Sequence, residues 1–199
     1  MNKLTIDEVF QIALDSLETP RHPAEIFPAI TYYRFHRELI KAIQPEVAVE
    51  LGVAAAGTSL HMCTGCPEAK VIGVDLSRPD KYNQCITYVE KHYPNWEFWQ
   101  PMDTVKAAQK MWFRYEKPII GQLYVDALHE KQQVYKELRA YKRLMLDGAV
   151  VIFDDLYLTE DMNQMWEGLP FTEKIRLDFL HVEVGYGAAI WRNSEIRGW

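Results

Sequence analysis

The chain is poor in cysteine, poor in positive charge relative to negative, and has no long apolar run. Its only thiols are Cys63, Cys66 and Cys85, an odd number that builds no disulfide framework and fits a reducing compartment. Cys63 and Cys66 stand in "CTGC" near His61, but no second ligand pair at similar spacing follows, which argues against a structural zinc site. The expected reading is a small-residue helix end and turn, with a thioredoxin-like redox pair as the alternative. Lys and Arg number 22 against 28 Asp and Glu, giving a net charge of -6 and a pI near 5.5. That balance argues against a binder driven by nucleic-acid phosphates and leaves only a local basic patch open. The longest apolar runs, such as "AVVIF" (149–153), fall far short of the roughly 20 residues that cross a bilayer. The N-terminal "MNKLTIDEVFQIALDSLE" carries acids where a secretory signal needs an apolar stretch. No repeat or low-complexity segment is visible. A cytoplasmic protein that engages neither nucleic acid nor membrane is expected, and a homo-oligomer is left open.

What is present is a core. Hydrophobic residues make up 48% of the 199 positions and charged residues 25%, enough for one globular domain over 1–199. "TIDEVFQIALDSLE" sets Ile6, Val9, Phe10, Ala13, Leu14 and Leu17 at helical steps, and the proline-rich "TPRHPAEIFP" ends that helix. A second helix is expected over Ala29–Ile43, so that 1–44 form a helical cap on a core spanning 45–199. From Pro45 the pattern alternates: strands "EVAVELG", "KVIGVDL", "WEFWQ", "IIGQLYVDA" and "GAVVIFDD" are separated by helices, the longest over 130–145. Such alternation predicts a parallel sheet with helices on both faces. After a helix near Glu160–Trp166, "EKIRLDFL" and "HVEVGYGAAIW" follow with no room for a crossover, so they must pair antiparallel. The predicted fold is α/β: a Rossmann-like doubly wound sheet, mostly parallel, of seven strands with a C-terminal antiparallel hairpin, plus N-terminal helices.

Ligands of open parallel sheets gather at the carboxyl ends of the strands. Here each parallel strand delivers an acid to that rim: Glu50, Asp75, Asp103, Asp126, and the adjacent pair Asp154 and Asp155 in "VIFDDLY". Two neighbouring carboxylates at the end of a buried segment repel, and desolvation makes this worse. A cation, backbone N–H donors or water must compensate. The first loop, "ELGVAAAGTSL", has Gly52 for a tight turn and Gly57 at the helix start, but alanines fill the interval where a G-x-G-x-x-G phosphate cradle needs glycine. Asp75, at the end of the second strand, suits a ribose diol.

"VELGVAAAGTSL" resembles the first motif of class I S-adenosylmethionine-dependent methyltransferases, and "VIGVDLS" is similar to their second. The order of elements over about 45–191 matches that fold. The nearest resemblance is to the metal-dependent O-methyltransferases, which include catechol and caffeoyl-CoA types and a bacterial branch acting on sugars and natural products. Their fourth motif, an Asp with Lys or His three residues on, corresponds to Asp126 and His129 in "VDALH". Their acidic pair after the fifth strand corresponds to Asp154 and Asp155. Two departures stand out: Ala56 holds the place of the second glycine of E-x-G-x-x-x-G, and Asp155 replaces the Asn of the catechol type.

The resemblance implies S-adenosylmethionine held by Glu50, Gly52, Gly57, Asp75, Leu76, Asp103 and Asp126, with Asp75 on the ribose and Asp103 near the adenine amine. It implies Mg²⁺ or Ca²⁺ on Asp126, Asp154 and Asp155, since hard carboxylate oxygens suit hard cations. Asp126 and His129 would be catalytic, His129 as general base toward a hydroxyl of a small-molecule acceptor. The competing readings are a metal-independent methyltransferase of the same fold, a nicotinamide-dependent oxidoreductase, and a non-catalytic cofactor-binding module.

Overall fold

Period-two alternation along the strands decides which helices cover which face of the sheet. The protein, seen here as a computed structural model, is described over residues 1–20 and 31–196. The strands are β1 (Val47–Leu51), β2 (Lys70–Val74), β3 (Trp96–Trp99), β4 (Ile120–Val125), β5 (Met145–Phe153), β6 (Lys174–Arg176) and β7 (Gly187–Ile190). The helices are α1 (Ile6–Glu18), α2 (Thr31–Ile43), α3 (Gly57–Gly65), α4 (Asn83–His92), α5 (Thr104–Tyr115), α6 (Lys131–Tyr141) and α7 (Glu160–Glu167). In β5, Val151 and Phe153 face one core with Ala107 and Met111 of α5, Leu138 of α6 and Trp166 of α7. Val150 and Ile152 face the other, with Val9 and Ala13 of α1 and Phe35 and Leu39 of α2. Under α3 and α4, Leu60, Met62, Ile86 and Val89 close the same side over β1 and β2. The N-terminal helices are therefore one layer of the core. The positions before Thr31 in the second expected helix, and most of the proline-rich segment, lie outside the described residues.

The sheet runs in the order β3-β2-β1-β4-β5-β7-β6, with β1 to β5 parallel and β7 antiparallel to β5. The chain winds outward in opposite directions from β1 and β4, so the topological switch point lies between their carboxyl ends. Three expectations need correction. The helix expected over 130–145 stops at Tyr141, and Met145 already belongs to β5, whose path turns at Gly148 (φ +88°). The closing strands pair antiparallel as expected, Lys174 opposite Ala189, but they are short and no tight hairpin. Residues 177–186 form a connection of their own with a 3-10 turn at Asp178–Leu180. It is held by the Asp178 carboxylate, which accepts from the Tyr186 N–H at 3.0 Å, and it turns at Gly185 (φ +81°). Among the described residues no helix is long and apolar enough to cross a membrane.

Candidate active site

The switch point is built by one glycine. Gly52 follows β1 at φ +86°, and a Cβ there would lie 2.0 Å from the Asp126 carbonyl oxygen and 2.8 Å from Ala127 Cα. Only glycine lets the ends of β1 and β4 approach this closely. Their backbones are joined directly, the Asp126 N–H donating to the Leu51 carbonyl at 2.8 Å. Ala54 and Ala56 adopt φ +44° and +60°, so the first loop holds a left-handed path even where glycine is missing. Asp75 pins that loop: its Oδ2 accepts from the N–H groups of Val53 (3.0 Å) and Ala54 (3.3 Å), and its Oδ1 from Ser77 N–H (3.0 Å). Gly57 starts α3 beneath the Tyr33 ring, where a Cβ would fall 2.2 Å from the ring carbon bearing the hydroxyl.

Beside Gly52 opens a cleft of about 420 Å³, walled by Asp75 and Leu76 after β2, Asp103 and Thr104 at the start of α5, and the Asp126–His129 loop after β4. Of the seven expected cofactor residues, Gly52, Asp75, Leu76, Asp103 and Asp126 line it. Glu50 and Gly57 do not. Glu50 is buried beneath the loop, where its carboxylate accepts from the Ser59 hydroxyl at the start of α3. Burial pushes its pKa well up, against the lowering effect of Ser59 and Thr58. Its strand parity turns it toward α3 and away from the rim. Asp103 is also the N-cap of α5, accepting from Lys106 N–H at 3.0 Å.

The acidic pair divides its labour. Asp154 is almost fully buried; its Oδ2 accepts from the Tyr124 hydroxyl at 2.7 Å and its Oδ1 lies 2.8 Å from His181 Nδ1. Asp155 takes the left-handed conformation, φ +57°, costly for a residue with a Cβ and concentrated at functional sites. Its carboxylate approaches His129 instead, 2.7 Å from Nε2, while Asp126 Oδ1 lies 3.4 Å from the same nitrogen. Two overlapping triads result, each with ligand atoms within 4.8 Å of one another: Asp126, His129 and Asp155, and Asp154, Asp155 and His181. Asp155 is common to both. Burial, together with the charges of Asp154 and Asp155, raises the Asp126 pKa against the opposing pull of His129. Hydrogen bonds to Asp126 and then Asp155 raise His129 to about 10, so it is an imidazolium here. His181 is raised chiefly by Asp154.

Sequence reasoning brought Asp126, His129, Asp154 and Asp155 together; the fold sets Asp126 with His129 and Asp155, and Asp154 with Asp155 and His181, so the expected set of Asp126, Asp154 and Asp155 is divided between two groups that share Asp155. It missed His181, Tyr124 and Tyr32. Tyr124 had a signal: two residues before Asp126 in β4, it shares that residue's face. His181 had none, because only the folded 177–186 connection carries it to Asp154. Tyr32 of α2 covers this corner, its ring 5.1 Å from that of His181 and stacked at 5.3 Å on Tyr186. The three carboxylates, grouped around Asp155 in a partly desolvated rim, are hard oxygen donors of the kind that a divalent cation such as Mg²⁺ or Ca²⁺ takes.

Residues 32–173, well over half of the chain, match the family described as rhamnosyl O-methyltransferase/CmcI. No curated protein matches the sequence. Among solved structures, the chain is similar to cofactor-bound Rv0187 from MTB, with a TM-score of 0.66 and 17% identity over 94% of this chain and 90% of that one. It is similar to an O-methyltransferase from Bacillus cereus in complex with SAH, with a TM-score of 0.63 and 15% identity over 96% and 92%. TomG from Streptomyces achromogenes, an O-methyltransferase involved in tomaymycin synthesis and solved with SAM, gives a TM-score of 0.64 and 13% identity over 96% and 91%. At these identities the likeness to solved structures is one of fold.

Proposed function

This chain belongs to the rhamnosyl O-methyltransferase/CmcI family, and from that premise we infer that it moves the methyl group of S-adenosylmethionine onto a hydroxyl of a small acceptor, aided by a divalent cation. The observation that supports the reading is the pair of overlapping groups, Asp126, His129 and Asp155 and then Asp154, Asp155 and His181, the first of which reaches through Asp126 and His129 into the cleft that Asp75 also walls. Asp126, Asp154 and Asp155 would hold Mg²⁺ or Ca²⁺, which supplies Lewis acidity that lowers the pKa of an acceptor hydroxyl.

The chain's own residues do the rest. Asp75 and the first loop fix the cofactor against β1 and β2, and Gly52 keeps backbone bulk out of its path. The acceptor oxygen attacks the methyl carbon in line, the O–C bond forms as the S–C bond breaks, and S-adenosylhomocysteine leaves neutral at sulfur. Positioning and exclusion of water lower that barrier. Tyr32 and Tyr33, both largely buried, roof this corner and keep solvent out. His129 takes the hydroxyl proton. It does so only when other positive charge has relieved Asp126 and Asp155, because an imidazolium already holds its proton.

Methyl transfer without a metal is the second reading. The His129–Asp155 and His181–Asp154 pairs favour it, since they already offset part of the negative charge. One experiment separates the two. Transfer from methyl-labelled cofactor is followed over a panel of glycosides, the acceptor class named in the family description, and catechols. The proposal expects turnover that EDTA abolishes and Mg²⁺ restores. Unchanged turnover after chelation would leave the metal-free reading standing.

A further inference from the structure

Deep in the cleft lies an acid that the mechanism above does not use. Glu137 projects from the second turn of α6, contributes to the cleft wall, and has no measurable exposure. One of its oxygens is fully engaged: Oε1 accepts from the Thr104 hydroxyl at 2.7 Å and from Gln133 Nε2 at 3.0 Å. Gln133 Nε2 also reaches Thr104 Oγ1 at 3.2 Å, so the three side chains lock one another. The other oxygen, Oε2, is buried and has no partner among the described residues. A buried acceptor left unmet is costly, and native proteins retain few of them without a reason.

The position of this oxygen selects its partner. Thr104 and Gln133, which hold Glu137, line the same cleft as Asp75, Leu76, Asp103 and Asp126. A cofactor whose ribose meets Asp75 and whose sulfonium faces Asp126 leaves its base for the remaining wall, where Asp103 and Thr104 stand and Thr104 meets Glu137. The N–H donor that S-adenosylmethionine carries there is the exocyclic amine of adenine. Asp103, the residue expected from the sequence to meet that amine, already caps α5. Tyr141, one turn on from Glu137, also has a buried hydroxyl without a partner, so a water bridging it to Oε2 is the competing explanation. Such a water would satisfy the acid and leave it blind to the base.

We propose that Glu137 reads the adenine amine, its Oε2 accepting the N–H hydrogen bond while Thr104 and Gln133 hold the carboxylate in place. The proposal rests on the assignment of S-adenosylmethionine as cofactor. A carboxylate acceptor makes a charge-assisted bond, and its loss is worth roughly ten- to hundredfold in affinity.

The test is a two-by-two titration calorimetry experiment. The ligands are S-adenosylhomocysteine and its 6-deamino analogue, which has hydrogen in place of the amine and keeps the shape of the base. The proteins are the wild type and Glu137→Leu, with Glu137→Gln as a second variant in case the leucine chain folds poorly. The wild type should bind the deamino analogue ten- to hundredfold more weakly. In Glu137→Leu the two ligands should bind within about threefold of each other, and in Glu137→Gln the ratio should shrink toward that value. Equal losses of both ligands would show a structural or water-bridging role and overturn the proposal. So would a wild type that does not discriminate, or discrimination that survives in both variants. Failure of the wild type to bind S-adenosylhomocysteine at all would instead sink the cofactor assignment.

Discussion

Gly52→Ala tests how the switch point is made. The new Cβ would stand 2.0 Å from the Asp126 carbonyl oxygen, 2.6 Å from its carbon and 2.8 Å from Ala127 Cα. All three are backbone atoms of a central strand end, so no rotamer change relieves the clash. The residue also sits at φ +86°, which costs about 1–2 kcal/mol for a side-chain-bearing residue. Forcing β1 and β4 apart adds about 1–3 kcal/mol by analogy with overpacked cores. Together they give a loss of about 2–5 kcal/mol. Unfolding entropy near 2.1 cal/mol/K per residue turns this into a fall in Tm of roughly 5–12 °C for a chain of 199 residues. Differential scanning calorimetry reads it, and calorimetric titration of S-adenosylhomocysteine reads the accompanying damage to the cleft. An alanine variant with wild-type Tm and wild-type affinity would refute the claim that close approach of these strand ends builds the site.

Three further outcomes follow from the same geometry. Gly57→Ala should destabilise by about 1–3 kcal/mol through the Tyr33 ring, and the cost should fall below about 0.5 kcal/mol in a Tyr33→Leu background; urea unfolding of the double-mutant cycle measures this, and additive effects would contradict it. Tyr124→Phe removes the donor to Asp154 Oδ2 and should weaken Mn²⁺ binding about tenfold or more, read by electron paramagnetic resonance, with the fold intact. His36 accepts from Gln122 at Nδ1 and pairs through Nε2 with the Tyr186 hydroxyl; burial, aided by His61, holds its pKa down to about 3. Its unfolded form protonates first, so the stability it contributes is complete above pH 6.5 and falls as pH drops, at about 1.4 kcal/mol per unit. His129 and His181, raised in the fold, are charged in both states below pH 6 and add no slope there. Unfolding free energies from urea titrations should therefore fall between pH 6.5 and 5 by about 2 kcal/mol more in the wild type than in His36→Phe, which keeps every other titrating group; parallel profiles would be inconsistent with a neutral buried His36.

The parts of this site that the sequence revealed are those set by strand ends and short spacing. Asp126 and His129 lie in one loop, so three residues of separation suffice to bring them together. Asp154 and Asp155 were visible as a pair, yet their parting toward different histidines depends on the left-handed turn at Asp155, which no pattern announces. Glu50 stands at the strand end the pattern marks, while alternation in β1 turns it under α3, where Ser59 donates to it. His181 came from a connection that reads as a strand, since "HVEVGY" alternates apolar and polar residues although a 3-10 turn and Gly185 govern it. Glu137 looked like any polar position on an amphipathic helix. Only the packing of α5 against α6 shows that Thr104 and Gln133 bury it.

The central claim is that the acids of this rim are a cation site. The most direct measurement is calorimetric titration of Mg²⁺ and Mn²⁺ into protein saturated with S-adenosylhomocysteine, compared between the wild type and Asp155→Asn, the residue shared by both triads. The account predicts one ion per chain in the wild type and a loss of at least tenfold in affinity in the variant. No heat with either ion in a wild type that binds S-adenosylhomocysteine would contradict it, and would leave His129 and His181 as the only positive charge those carboxylates require.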